Sequence, residues 1–117
     1  MREAEFTRKL LRALRSHAAL KDAVIYKISD RFSAGIPDFY VFVRAGHPVS
    51  KPHSSWWEIK VAPRQLTALQ AHYINKLYPI SYVISRVDAR NHFISGDPMA
   101  FNFDELVESV VTRCIDA

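Results

Sequence analysis

Apolar residues recur at helical spacing near the start of the chain. Phe6, Leu10, Ala13 and Leu14 fall on one stripe, and Arg2, Arg8, Lys9, Arg12 and Arg15 cover the remainder, which predicts an amphipathic helix over residues 2 to about 17. Ala23 to Ser29 is rich in β-branched and aromatic residues and is bounded by Lys21-Asp22 and Asp30-Arg31, the signature of a strand. A loop over 30–36 follows. Pro37 then opens a second strand, where a missing N–H is tolerated, and this strand ends near Val43. Arg44 to Ser55 holds Gly46, Pro48 and Pro52 among polar residues and reads as a long hairpin loop. Trp56 to Val61 is the third strand. Pro63 suits the first position of a helix that runs to about Leu77, with Leu66, Leu69, Tyr73 and Leu77 on its core stripe. Ile80 to Arg86 is a fourth strand and Asn91 to Ile94 a short fifth. Gly96-Asp97-Pro98 reads as a turn. Asn102 or Asp104 can cap a last helix through about Cys114, with Leu106, Val107, Val110 and Val111 apolar.

The order is helix, three strands, helix, strand, then a C-terminal strand and helix. Short connections make the first three strands an antiparallel meander, and the helix after the third permits a parallel crossover. The expectation is a single α/β domain over 1–117, a mixed sheet flanked by helices.

Charge sits where a buried strand should not carry it. Asp38 lies just inside the second strand, and Glu58 and Lys60 lie two apart in the third. Strand side chains alternate faces, so Glu58 and Lys60 point one way and Ile59 the other. Pairing alone explains Glu58 with Lys60 but leaves Asp38 on the neighbouring strand. Two carboxylates brought together repel, and a divalent cation between them removes the repulsion. A metal site beside a lysine is the working expectation. Glu3, three residues before Phe6, shares the apolar stripe of the first helix, whereas Glu5 turns towards solvent. Helix-dipole stabilisation is the ordinary reason for an acid in a first turn. The sharper reading is that Glu3 reaches the site of Asp38 and Glu58.

Composition narrows the setting. The net charge of +4 fits an acidic partner, nucleic acid above all. Cys114 is the single cysteine, which excludes an internal disulfide and a thiolate cluster. No His-x-His or His-x-x-x-His spacing points to zinc. No apolar stretch is long enough to cross a bilayer, and no apolar signal core follows Met1-Arg2-Glu3-Ala4-Glu5. A cytoplasmic location is expected.

Pro37-Asp38 followed by Glu58-Ile59-Lys60, with Glu3 before and Gln70 after, resembles the PD-(D/E)XK nuclease superfamily. Gly35-Ile36-Pro37-Asp38, Glu58-Ile59-Lys60 and Leu66-Thr67-Ala68-Leu69-Gln70 are similar to its VRR-NUC and phage-nuclease branch, related to archaeal-type Holliday junction resolvases. The likeness covers residues 3 to about 85. It implies a restriction-endonuclease-like α-β-β-β-α-β core and a magnesium-dependent DNA endonuclease, with manganese able to substitute. It also implies selectivity for branched, flap or junction DNA, a homodimer, and a phage or prokaryotic setting. Asp38, Glu58 and the Ile59 carbonyl would be metal ligands. An acid in helix one is part of the family pattern, which favours Glu3 as a further ligand, direct or through water. Lys60 would orient the attacking water or stabilise charge on phosphorus, and Gln70 would place the lysine or a phosphate. Lys27, Arg31 and Ser33 flank the site and are candidates for phosphate contacts. Two other expectations stand beside this one: a catalytically silent nucleic-acid-binding domain on a nuclease fold, and a structural protein in which Glu58 and Lys60 form a buried ion pair.

Overall fold

The computed structural model describes residues 1–28, 35–46, 49, 51–100 and 102–115. Helix α1 (Glu3–Ser16) is followed by a short 3-10 turn (Ala18–Leu20) and by strands β1 (Val24–Lys27), β2 (Phe39–Val43) and β3 (His53–Val61). Helix α2 (Ala68–Leu77), strands β4 (Ser81–Asp88), β5 (Asn91–Ile94) and β6 (Asp97–Ala100), and helix α3 (Phe103–Ile115) complete the chain. The six strands form one mixed sheet in the order β1-β2-β3-β4-β5-β6. The first three strands are an antiparallel meander. β4 lies parallel to β3, the pairing that a helical crossover allows.

One face of the sheet is the core. Phe39, Val41, Trp57, Ile59 and Ile84 are fully buried there, together with Phe6, Leu10 and Leu14 of α1 and Leu106 and Val110 of α3. Burial of each such side chain contributes about 1.5–3 kcal/mol. Alternation sends Tyr40, Trp56, Glu58 and Lys60 to the other face. α2 lies on that side, because Gln70 reaches Glu58 there.

Three elements differ from the sequence reading. β3 starts at His53 and not Trp56, because its polar residues find partners: Tyr40 Oη and Ser54 Oγ are 2.8 Å apart, and Ser55 Oγ accepts Trp57 Nε1–H at 2.8 Å. α2 starts at Ala68 and not Pro63. Thr67 Oγ1 accepts the Gln70 N–H and Gln70 Oε1 accepts the Thr67 N–H, a reciprocal capping box that fixes the start. The apolar stripe of α2 is also shallower than its spacing suggests, since Leu69 is 46% exposed and no residue of α2 is fully buried. The third difference is β6, which occupies part of the segment read as a turn. The reversal falls one step earlier, at Ser95 and Gly96, both with positive φ (51° and 88°), the conformation of a tight hairpin turn. Asn102 caps α3 as expected, its Oδ1 accepting the Glu105 N–H at 2.8 Å. No helix among the described residues is long and apolar enough to cross a membrane.

Candidate metal centre

Asp38 is placed by the glycine and proline before it. Gly35 has φ +87°, and a Cβ built on it would stand 2.5 Å from Leu69 Cγ and 3.1 Å from Tyr73 Cδ2. Only glycine lets the strand-entry segment approach α2 this closely. The ladder between β2 and β3 ends at the pair Phe39–Trp57. One residue further, the Asp38 side chain takes over: its Oδ2 accepts the Ile59 N–H at 2.7 Å. Its main-chain carbonyl accepts the Ile28 N–H at 2.8 Å. Asp38 is therefore tied to the strands on both sides.

Glu58 stands next to it, 2% exposed. Its Oε1 accepts Gln70 Nε2–H at 3.1 Å and lies 3.8 Å from Lys60 Nζ. Its Oε2 is buried with no hydrogen-bond donor. Lys60 is likewise buried, at 3% exposure. The Gln70 amide is divided between two tasks, with Oε1 closing the helix cap and Nε2 holding Glu58. Gln70 thus positions the glutamate, where the sequence reading gave it the lysine or a phosphate.

Glu3 sits at the start of α1, with its Oε1 3.6 Å from Arg64 Nη1 and its Oε2 buried without a donor. Glu5 is exposed, as the helical phase requires. Arg64 is a further residue beside Glu3. It follows Lys60 by four residues on the turn after β3, where its N–H bonds Val61 O at 3.1 Å, and nothing in its spacing distinguishes it from a surface arginine. A groove of about 320 Å³, lined by Lys60, Arg64, Leu66, Val83, Ser85 and Ser95 among others, opens beside the lysine.

The electrostatics are those of crowded acids. Burial raises the Glu58 carboxyl to about 8, reinforced by the nearby Asp38 and only partly offset by Lys60. Burial likewise raises Asp38, against the lowering effect of the Ile59 N–H, and Glu3 raises it further. Two neighbouring acids that both resist ionisation, each with capacity to accept more, form the environment a hard cation relieves. Among the described residues no group of three or more His, Cys, Asp or Glu side chains is gathered closely enough to hold a metal ion.

Ile59 meets the site through its backbone alone, and the remaining candidates fall elsewhere. The Ile59 side chain is in the core, fully buried, and its N–H serves Asp38. Lys27 pairs with Phe39 across the sheet, so alternation turns it to the α1 face, away from Glu58. It lines a groove with Arg8, Leu11, Arg12, Arg15 and Ser16 and does not flank the carboxylates. Arg31 and Ser33 lie outside the described residues. His17 is committed to Glu108 at 2.9 Å, and His92 is buried against Phe6. The chain matches no family model, no curated protein and no solved structure.

Proposed function

We propose that this protein is a magnesium-dependent DNA endonuclease of the PD-(D/E)XK type, and that the order α1, β1–β3, α2, β4 is its restriction-endonuclease-like core. The observation that carries this reading is the convergence of Asp38 and Glu58 beside a buried lysine, with Gln70 clamping Glu58. A purely structural ion pair accounts for less. At 3.8 Å, Lys60 and Glu58 are further apart than a charge-assisted hydrogen bond of about 2.7–2.9 Å, and the pairing leaves Asp38 and the second Glu58 oxygen unexplained.

Each residue has a role in this account. Asp38 and Glu58 would hold the cation, with the Ile59 carbonyl and Glu3 as the further groups the protein would offer it. A divalent ion there supplies Lewis acidity towards the scissile phosphate and acidifies a bound water. Gln70 and Lys60 both engage Glu58 Oε1, and Oε2, which has no donor, would be the oxygen offered to a cation. Glu58 must lose its proton to bind. Lys60, held in a low-dielectric setting, stabilises negative charge developing on phosphorus or orients the attacking water. The substrate class is branched, flap or junction DNA, cut by a homodimer that brings two sites to two strands.

Incubation of the purified protein with single-stranded, duplex, flap and four-way DNA in Mg²⁺ or Mn²⁺ tests this. Cleavage strongest on the structured substrates, and absent with chelator, is expected. Salt-sensitive DNA binding with no cleavage under any divalent ion would instead support the silent binding domain.

A further inference from the structure

Three of the four cations of α1 share one face, and the fourth, Lys9, lies over the Phe103 ring. Arg8, Arg12 and Arg15 are spaced four and three apart, which puts them on one stripe about 60° wide. Lys27 faces them from β1 across a groove of about 340 Å³ floored by Leu11, and no acidic residue lines it. Among the described residues none of Arg8, Arg12, Arg15 and Lys27 stands within ion-pair distance of a carboxylate. Arg15 is also fixed in place, with Nη2–H donated to Ile25 O at 3.3 Å. Both acids of α1, Glu3 and Glu5, lie in its first turn. The helix is therefore polarised along its length, acidic at the candidate metal centre and basic beyond it.

We infer that the groove between α1 and β1 is a track for the phosphate backbone of a nucleic-acid strand. The occupant follows from the charge and its layout. Arg8 to Arg15 spans about 10 Å along the helix axis, so the cations form a line and not a point, which suits a linear polyanion better than a single phosphate. The intervals of about 4.5–6 Å fall between one and two steps of a strand that advances about 3.4 Å per nucleotide. The stripe lies about 150° round the helix axis from Glu3, so the track is a binding surface on a different face from the acids and holds a strand without itself leading into them. The inference deepens the nuclease reading and rests on it for the identity of the polyanion.

The test is binding without chemistry. Fluorescence anisotropy of a labelled 20-nucleotide DNA in chelator is measured from 50 to 300 mM salt. The proteins compared are the wild type, Arg8→Gln/Arg12→Gln, the conservative Arg8→Lys/Arg12→Lys, and a charge-matched control, Lys76→Gln/Arg90→Gln, both exposed and outside the groove. The glutamine pair should weaken binding at least about tenfold at 100 mM salt and lower the slope of log affinity against log salt by nearly two. The lysine pair and the control should stay near wild type. Circular dichroism confirms that each protein is folded. Equal loss in the control and the groove variant overturns the inference, because it shows only the effect of net charge. An effect confined to anionic vesicles, with DNA binding unmoved, also overturns it in favour of a membrane surface. Cleavage that survives while the variants bind DNA normally overturns the track and leaves the nuclease reading intact. Groove-dependent binding by a protein that never cuts supports the track and removes the nuclease reading.

Discussion

Asp38 Oδ2 accepts the N–H of Ile59 at 2.7 Å, so a carboxylate stands where the strand ladder would have placed a carbonyl. This one bond sets the side-chain direction of Asp38 and brings it against Glu58, the residue before Ile59. It also divides the consequences of substitution. Asn retains an oxygen that can accept the Ile59 N–H, and Ala does not. Asp38→Asn should keep near-wild-type stability and lose divalent-metal binding. Asp38→Ala should lose both, with a cost of about 1–3 kcal/mol for the orphaned N–H. Urea unfolding paired with Mn²⁺ titration calorimetry separates the two. Equal destabilisation by both variants would contradict the role given to this bond.

Glu58 gives the protein a characteristic pH dependence. Its carboxyl is raised from an ordinary value of 4.5 to about 8 by burial and by Asp38. A group raised on folding favours the native state while protonated, so its contribution is fully present below about pH 4.5 and is lost as pH climbs to about 8. Metal-free wild type should therefore melt several degrees lower at pH 9 than at pH 6. Glu58→Gln should flatten most of that fall, and Mg²⁺ should reverse it in the wild type only. Differential scanning fluorimetry in chelator across this range is the measurement. A wild-type profile as flat as that of the variant would count against a strained acid pair.

Gln70 serves the helix cap and the site at once, and Thr67 serves the cap alone. Thr67→Ala should cost about 1 kcal/mol, the usual worth of such a cap, with metal affinity preserved. Gln70→Ala should cost at least as much and also weaken metal binding several-fold, since Glu58 Oε1 loses its amide donor. Comparing melting temperature with the Mn²⁺ dissociation constant for the two variants checks this. Identical effects on affinity would mean that Gln70 acts only through the helix.

Much of this arrangement is legible in the sequence, and the exceptions have specific causes. Asp38, Glu58 and Lys60 stand out because charge in an apolar strand demands a partner, and strand alternation puts the latter two on one face. Helical phase prefers Glu3 to Glu5. Strand β3 is longer than its apolar run because Ser54 and Ser55 are satisfied across and along the strand. Pro63 is a plausible helix opener, but the pattern Thr67-x-x-Gln70 is a stronger one, and the structure follows it. β6 is hidden because Ser95 adopts a positive φ that serine rarely takes. The same alternation that pairs Glu58 with Lys60 also sends Lys27 to the α1 face, since it shares parity with Ile25. Arg64 gives no sequence signal, because only the chain reversal after β3 carries it back to Glu3.

Gly35 links the strand entry to α2. Gly35→Ala meets Leu69 Cγ at 2.5 Å with a backbone at φ +87°, and should destabilise the fold by about 1–3 kcal/mol. Gly46, with nothing within 4 Å of an added Cβ, should accept alanine nearly without cost. The double variant Gly35→Ala/Leu69→Ala should recover part of the loss, leaving the backbone strain. Chemical denaturation of the four proteins decides it, and a Gly46→Ala cost equal to that of Gly35→Ala would refute the close-approach argument.

The central claim is that a metal-binding acid pair becomes a nuclease through Lys60. Its most direct test is single-turnover cleavage of an end-labelled flap DNA by wild type and Lys60→Met. Each protein is held at a Mn²⁺ concentration shown by calorimetry to saturate it. The account predicts cutting by the wild type and at least about a hundredfold slower cutting by the variant, with the metal still bound. Equal rates in the two proteins, or intact DNA with metal-loaded wild type, would contradict it.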